Sequence, residues 1–148
     1  PPPPAPPPPH PCRRGGPPPT LGRVSTAIFI AIEADHPKAC FLGDAYHTYK
    51  GGSGFDGIKL LSANALHCYH MNDYPADPPR ETIRDEHRVY PGDGIAPLTR
   101  LFQNFMSIGA TPALSLELFN RTYWKQDALK VAKTGLTKMK SEVAKALA

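Results

Sequence analysis

Three short apolar runs in this sequence lead to ionisable residues: Asp44, His70 and Glu117. An ionisable side chain at the end of an apolar run needs a partner, because charged groups are rarely buried alone. A carboxylate, an imidazole and a second carboxylate together form a ligand set that suits a divalent cation such as Mn, Co, Zn or Mg. If the three runs are neighbouring parallel strands, these residues share one rim of the sheet. The spacing therefore predicts a metal site made of Asp44, His70 and Glu117.

The elements that must position these residues alternate between strands and helices. Apolar runs of strand length lie at 39–43, 65–70 and 113–119, which favours strands buried on both faces. Apolar residues at helical spacing predict helices over 21–34, 55–62 and 97–108, and a last helix from about 123. Strands that alternate with helices indicate an α/β fold with a parallel sheet.

Four further polar side chains lie near the strand ends or in the long polar loop at 71–94. Each one follows a strand end by three residues or lies shortly before a Pro-Gly-Asp-Gly turn: His47, Asp73, Asp85 and His87. Long loops inside compact domains often carry function. We keep two interpretations of Asp73, Asp85 and His87 open: a further metal or polar site, or loop residues satisfied by backbone and water.

The length of 148 residues limits the architecture. Twelve of the 19 prolines lie in the first 19 positions, and such a segment buries too little apolar surface to fold. We therefore predict a disordered Pro-rich segment over 1–20 and one folded unit over 21–148. A complete (β/α)8 barrel needs about 250 residues, which exceeds the length of this folded unit.

Charge and cysteine usage restrict partners and compartment. The formal net charge is +4, and six lysines lie in the last 27 residues, where they are typical of the solvated face of a helix. The charge therefore gives no reason to expect a nucleic-acid partner. Cys12, Cys40 and Cys68 form no CxxC pair, and no apolar run approaches the roughly 18 residues of a membrane span. These features predict a cytoplasmic protein with no membrane partner.

Four motifs carry a resemblance to a known family. In chain order they are 44–47 (DAYH), 70–73 (HMND), 85–88 (DEHR) and 115–119 (SLELF). Together they resemble the sugar phosphate isomerase/epimerase family, whose members are xylose isomerase-like TIM barrels. The resemblance covers about residues 21–148 and corresponds to the C-terminal half of such a barrel.

The resemblance implies roles for individual residues. In the family one divalent metal is held by Glu, Asp, His and Glu, and Asp44, His70 and Glu117 match the second, third and fourth ligands. The first glutamate has no counterpart here. Glu117 matches a residue that also moves protons, while His47 and Arg88 match residues that bind sugar oxygens. The implied reaction is proton abstraction next to a carbonyl, through an enediolate, in a sugar or sugar-derived ketone.

The implied architecture is a partial (β/α)8 TIM barrel with about three C-terminal βα units, a preceding helix and the Pro-rich segment. We expect at most traces of activity from such a fragment alone. A partial barrel also exposes two sheet edges and an apolar inner face. Self-association through those edges is therefore expected.

Two other functions remain open at this point. A family-2 AP endonuclease shares the barrel and binds several zinc ions, and the pairs Asp44/His47 and Asp85/His87 fit its ligand spacings. The basic last helix would suit DNA. Alternatively, the Pro-rich segment could present polyproline II helices to an SH3 or WW domain.

Overall fold

A computed structural model describes residues 22–148, so the predicted Pro-rich segment lies outside the described residues. The centre of the fold is a three-stranded parallel sheet with strand order β1-β2-β3. Its strands are β1 (Leu42–Asp44), β2 (Cys68–His70) and β3 (Ala113–Ser115). Helices separate the strands along the chain, which confirms the predicted α/β fold with a parallel sheet.

The register of the sheet brings the strand ends level. Asp44 lies opposite His70, and His70 lies opposite Ser115. Glu117 therefore follows the end of β3 by two residues. Because all three strands run in the same direction, the chain leaves the sheet at one rim after each of them.

Residues 22–148 form four α-helices: α1 (Val24–Glu33), α2 (Ala45–Lys50), α3 (Leu98–Ser107) and α4 (Ala128–Leu147). The predicted apolar stripe of α3 is confirmed, since Leu98, Leu101, Phe102 and Phe105 are buried. Gly109 follows α3 with φ +70°, a conformation that glycine adopts without steric cost at a helix end.

Several elements differ from the sequence-based expectation. The strand predicted over 113–119, buried on both faces, is limited to Ala113–Ser115, and its two outer residues are exposed. The helix predicted from about 123 begins at Ala128, after a 3-10 turn at Tyr123–Lys125. The helix predicted over 55–62 is a short 3-10 helix, Asp56–Leu60. Ile58 is buried in it, but Leu60 is 90% exposed, so the predicted apolar face is only partly used. The sequence does not predict the short helix α2, because its six residues, AYHTYK, are too few to show an apolar stripe.

The apolar spacing of α4 predicts an inward face, and the structure agrees with this prediction only in part. The predicted inward residues are Ala128, Val131, Ala132, Leu136, Met139 and Val143. Gly135, Glu142 and Ala146 are its buried residues, with Met139 and Val143 partly buried against the core. Leu136, expected to point inward, is half exposed. Gly135 allows the side chain of Leu116 to approach the backbone of α4, since a Cβ at Gly135 would lie 2.2 Å from Leu116.

The buried core lies between the sheet and α3. Tyr69, in the central strand, is fully buried and its ring lies 5.0 Å from that of Phe105. Gly43 in β1 makes room for it, since a Cβ there would lie 2.3 Å from the Tyr69 ring. Burying an aromatic or aliphatic side chain of this size contributes about 1.5–3 kcal/mol, so this layer holds the strand ends in place.

Candidate metal centre

Asp44 has two tasks at the end of β1. Its Oδ1 accepts a hydrogen bond of 2.9 Å from the backbone N–H of His47 and so caps helix α2. The second oxygen, Oδ2, faces the rim. The abrupt change from strand to capped helix at one residue therefore fixes where this buried carboxylate points.

His70 and Glu117 reach the same point from the two neighbouring strands. Nδ1 of His70 lies 3.4 Å from Oδ2 of Asp44 and 3.3 Å from Oε2 of Glu117. Asp44 is buried, His70 is mostly buried, and Glu117 is the most exposed of the three. The structure thus brings these three predicted residues together.

The spacing of these donors fits a divalent cation. Ligand atoms of the three residues all lie within 4.8 Å of one another. Bonds of about 2.1 Å in a tetrahedral site place neighbouring donors about 3.4 Å apart, which matches the distances from Nδ1 of His70 to the two carboxylates. Three protein donors also leave a position for a substrate oxygen, as in catalytic zinc sites.

Arg88 lies against the same carboxylates. Its side chain is completely buried, and Nη1 donates hydrogen bonds to Oδ2 of Asp44 at 3.2 Å and to Oε2 of Glu117 at 2.8 Å. The Nη2 atom lies 2.8 Å from Nε2 of His47 and also donates to Asp85. One guanidinium therefore joins four polar side chains of the rim.

Two aromatic rings contact this guanidinium. Its central carbon lies 4.5 Å from the ring centre of Tyr46 and 5.0 Å from that of Phe119, distances typical of cation–π contacts. Burial and the negative charges of Asp85 and Asp44 raise the pKa of Tyr46 to about 12, although the charge of Arg88 opposes the rise. The Tyr46 hydroxyl therefore stays protonated at neutral pH.

Asn72 is a positioning residue that the sequence analysis missed. It is fully buried, its Oδ1 accepts from the backbone N–H of Tyr46, and its Nδ2 donates to Oδ2 of Asp44 at 3.1 Å. It thus ties the loop after β2 to the carboxylate that ends β1. The sequence feature that could have identified it is its position two residues after His70, close to the end of β2.

Asp73 and His87 lie outside this cluster. The carboxylate of Asp73 accepts from four backbone N–H groups, those of Tyr74, Gly92, Gly94 and Ala96. Burial raises the pKa of Asp73, and these four donors partly offset the rise. His87 accepts through Nδ1 from the backbone N–H of Arg84. Among residues 22–148, Asp44, His70 and Glu117 form the one group of three or more such donors.

A pocket opens beside the cluster. Its volume is about 470 Å³, and it lies between the start of α1 and the free side of β1. Asp44, His47, His70 and Glu117 all line it. Pockets of this size accept small ligands, so a sugar-sized molecule could reach the three donors.

Comparison with known proteins places this geometry in a family. The inosose isomerase of Bacillus licheniformis is 29% identical over 115 residues, which cover 78% of this chain and 41% of the relative. That of Bacillus velezensis is 30% identical over 102 residues, covering 69% and 36%. The crystal structure of the IOLI protein with a binding zinc atom superposes with a TM-score of 0.80 at 26% identity, over 86% of this chain and 45% of that one.

The chain belongs to the xylose isomerase-like TIM-barrel family. A xylose isomerase domain protein from Alicyclobacillus acidocaldarius shares this fold, with a TM-score of 0.72 at 22% identity. No family model matches the chain. This xylose isomerase-like chain spans less than half the length of the relatives it matches.

The described part of this family member contains no helix long and apolar enough to cross a membrane.

Proposed function

We propose that this chain carries the metal-binding rim of a sugar isomerase or epimerase that abstracts a proton next to a carbonyl. The observation that carries the proposal is the convergence of Asp44, His70 and Glu117 at one end of the parallel sheet, in a chain similar to inosose isomerases. Asp44, His70 and Glu117 would hold the cation, which could be Mn, Co, Mg or Zn. A bound cation would draw electron density from the substrate carbonyl and make the neighbouring C–H more acidic.

Glu117 is the candidate base. Its carboxylate is partly exposed, lines the pocket and is oriented by Nη1 of Arg88. It would accept the proton from the carbon beside the carbonyl, while negative charge moves onto the carbonyl oxygen to give an enediolate. Return of the proton to the opposite face needs a second acid–base group, which the family's first glutamate would supply.

His47 and Arg88 are the candidate substrate-binding residues. The side chain of His47 is well exposed at the pocket, so it can donate to or accept from a sugar hydroxyl. Arg88 is completely buried, and both of its Nη atoms are engaged by side chains of the rim. Its guanidinium would contact a substrate only after Nη1 leaves the carboxylates.

The metal site is tested by calorimetric titration of the chain with MnCl2. His70→Ala and Glu117→Gln should each weaken binding at least about tenfold, because each removes one of three donors. His67→Ala is the matched control, since His67 is exposed and lies outside the cluster. Absence of Mn²⁺ binding to the unchanged chain would refute the site.

The reaction is tested by hydrogen exchange. The chain with Mn²⁺ is incubated in D2O with an inosose or a ketohexose, and NMR follows loss of the proton next to the carbonyl. We expect trace exchange from the chain alone and a clear increase when a polypeptide carrying the rest of a barrel from this family is added. A completed barrel inactive on every sugar ketone would contradict the isomerase proposal.

The endonuclease alternative receives no further support from the geometry. It requires several metal ions, and one group of three donors forms within the described residues. The Pro-rich interaction proposal concerns residues 1–20, which lie outside them. A pull-down with SH3 and WW domains, lost on deletion of residues 1–19, would support that proposal.

A further inference from the structure

Arg88 already binds two of the three residues of the proposed metal site. Its Nη1 donates to Oδ2 of Asp44 and to Oε2 of Glu117. These are the same two oxygens that lie 3.4 Å and 3.3 Å from Nδ1 of His70. The donors of the proposed metal site therefore already share one positive charge.

Without a metal, the positive charge of Arg88 offsets the repulsion between the two neighbouring carboxylates. Two carboxylates that bind the same guanidinium repel each other less than they would without it. A buried carboxylate without a positive partner destabilises the fold. A guanidinium remains protonated in proteins, so Arg88 keeps its positive charge when a metal ion approaches. A divalent cation that takes the same oxygens must compete with Nη1.

The other half of the guanidinium is held independently. Nη2 contacts His47 and Asp85, and the rings of Tyr46 and Phe119 make cation–π contacts with the guanidinium. Release of Nη1 would therefore leave Arg88 attached at the rim. The Nε atom of Arg88 is buried without a hydrogen-bond partner, so the observed pose leaves one donor unsatisfied.

We propose that Arg88 is the counter-ion of the metal-free site, and that metal binding is coupled to release of Nη1 from Asp44 and Glu117. The proposal rests on the metal site proposed above. It makes Arg88 a positioning residue that sets metal affinity. It also supplies the event that would turn the buried Nη1 towards a substrate.

The experiment compares Mn²⁺ affinity across variants by calorimetry. Arg88→Met keeps most of the side-chain volume but removes the charge, and it should bind Mn²⁺ at least about tenfold more tightly than the unchanged chain. Arg88→Lys keeps the charge and should change affinity less than about threefold. Arg100→Met is the matched control, because Arg100 pairs with Asp56 on the surface, and its affinity should be unchanged.

Thermal unfolding supplies a second readout. Metal-free Arg88→Met should melt below the unchanged chain, because two carboxylates lose their positive partner, and saturating Mn²⁺ should close that gap. Equal or weaker Mn²⁺ binding by a folded Arg88→Met would overturn the coupling while leaving the metal site intact. Absence of binding to both proteins would overturn the metal site itself and the coupling with it.

A measurement on the unchanged chain covers the case in which Arg88→Met fails to fold. The Nε–H of Arg88 is buried, so its 15N–1H NMR signal should be protected from exchange and can be assigned with Arg88→Lys. Addition of Zn²⁺ should shift this signal while the Arg100 signal stays in place. An Arg88 signal that does not move as Zn²⁺ binds would contradict the proposal.

Discussion

At the scale of single residues, the rim depends on buried polar groups that each satisfy several partners. Asp44 caps a helix with one oxygen and faces the candidate site with the other. Asn72 and Arg88 hold that second oxygen from two sides. Removing any of them leaves a buried polar atom without its partner, which costs more than the lost hydrogen bond is worth on average.

Asn72→Ala should weaken metal binding about tenfold or more, because loss of a residue that orients a ligand typically has this effect. Calorimetry with MnCl2 measures it. Asn104→Ala is the matched control, since Asn104 is also buried and donates to Phe55 and Asp56 away from the rim. Both variants should lose stability, but Asn104→Ala should keep its Mn²⁺ affinity. Similar affinity losses in both would show that Asn72 acts through general stability alone.

Asp73→Ala should destabilise the fold by about 3 kcal/mol or more, because four backbone N–H groups lose their acceptor. Urea unfolding measures the change. Asp93→Ala removes a carboxylate from the same loop, where it pairs with Lys138 on the surface, and should cost no more than about 1 kcal/mol. Equal losses would contradict the anchoring role of Asp73.

At the scale of elements, side chains between segments fix how the helices sit on the sheet. The 3-10 helix Asp56–Leu60 is attached to α3 by Asp56, which accepts from Arg100 and Asn104. The loop after the Asp73–Val89 bridge is attached to α4 by Asp93 and by Glu142, which packs against Gly92. A Cβ at Gly92 would lie 2.4 Å from Oε1 of Glu142, so this contact requires glycine.

The attachment at Asp56 predicts a pH dependence of stability. The hydrogen bond from Asn104 and the charge of Arg100 lower the pKa of Asp56 below its usual 3.8. A lowered pKa in the folded state contributes stability above the pKa of the unfolded chain, and this contribution is lost as pH falls through the folded value. Asp56→Asn should therefore show a smaller fall in melting temperature than the unchanged chain as pH is lowered below about 4.

Thermal unfolding of the two proteins from neutral pH to acid checks this prediction. Asp35→Asn is the control, because it removes an exposed carboxylate that follows α1. Parallel melting curves for Asp56→Asn and the unchanged chain across the whole acid range would contradict the role assigned to Asp56.

At the scale of the whole molecule, the sheet formed by residues 22–148 leaves β1 and β3 without a further strand partner among those residues. An apolar hollow of about 850 Å³ lies between α1 and the segment at 56–62, and one of about 650 Å³ lies between α4 and the segment after β3. Leu42, at the β1 edge, is 55% exposed. Free edges beside apolar surface favour pairing with another chain.

We expect concentration-dependent self-association, measured by size-exclusion chromatography with light scattering. Leu42→Lys should reduce it, because a lysine on an edge strand opposes edge-to-edge pairing. Leu129→Lys is the control, since Leu129 is exposed to a similar extent on α4, away from the β1 edge. A monomer that persists at high concentration would show that the sheet edges do not mediate self-association.

The sequence by itself determined the order of the three strands and the longer helices, and the polar residues at or just after the strand ends. Apolar runs, prolines and glycines act over a few residues, so β1, β2, β3 and the buried stripe of α3 were predictable. The short α2, the 3-10 form of Asp56–Leu60 and the burial of Gly135, Glu142 and Ala146 in α4 were not. Their conformation depends on what they pack against, and local spacing carries little of that information.

Only the tertiary structure decided which polar groups meet. Asp44 is 44 residues from Arg88, and Glu117 is 29 residues further on. Sequence spacing placed Asp44, His70 and Glu117 on one rim because parallel strands share their direction. It could not show that Arg88 is buried between two of them, or that Asp73 serves the backbone instead. Those outcomes follow from strand register and loop path, which long-range packing sets.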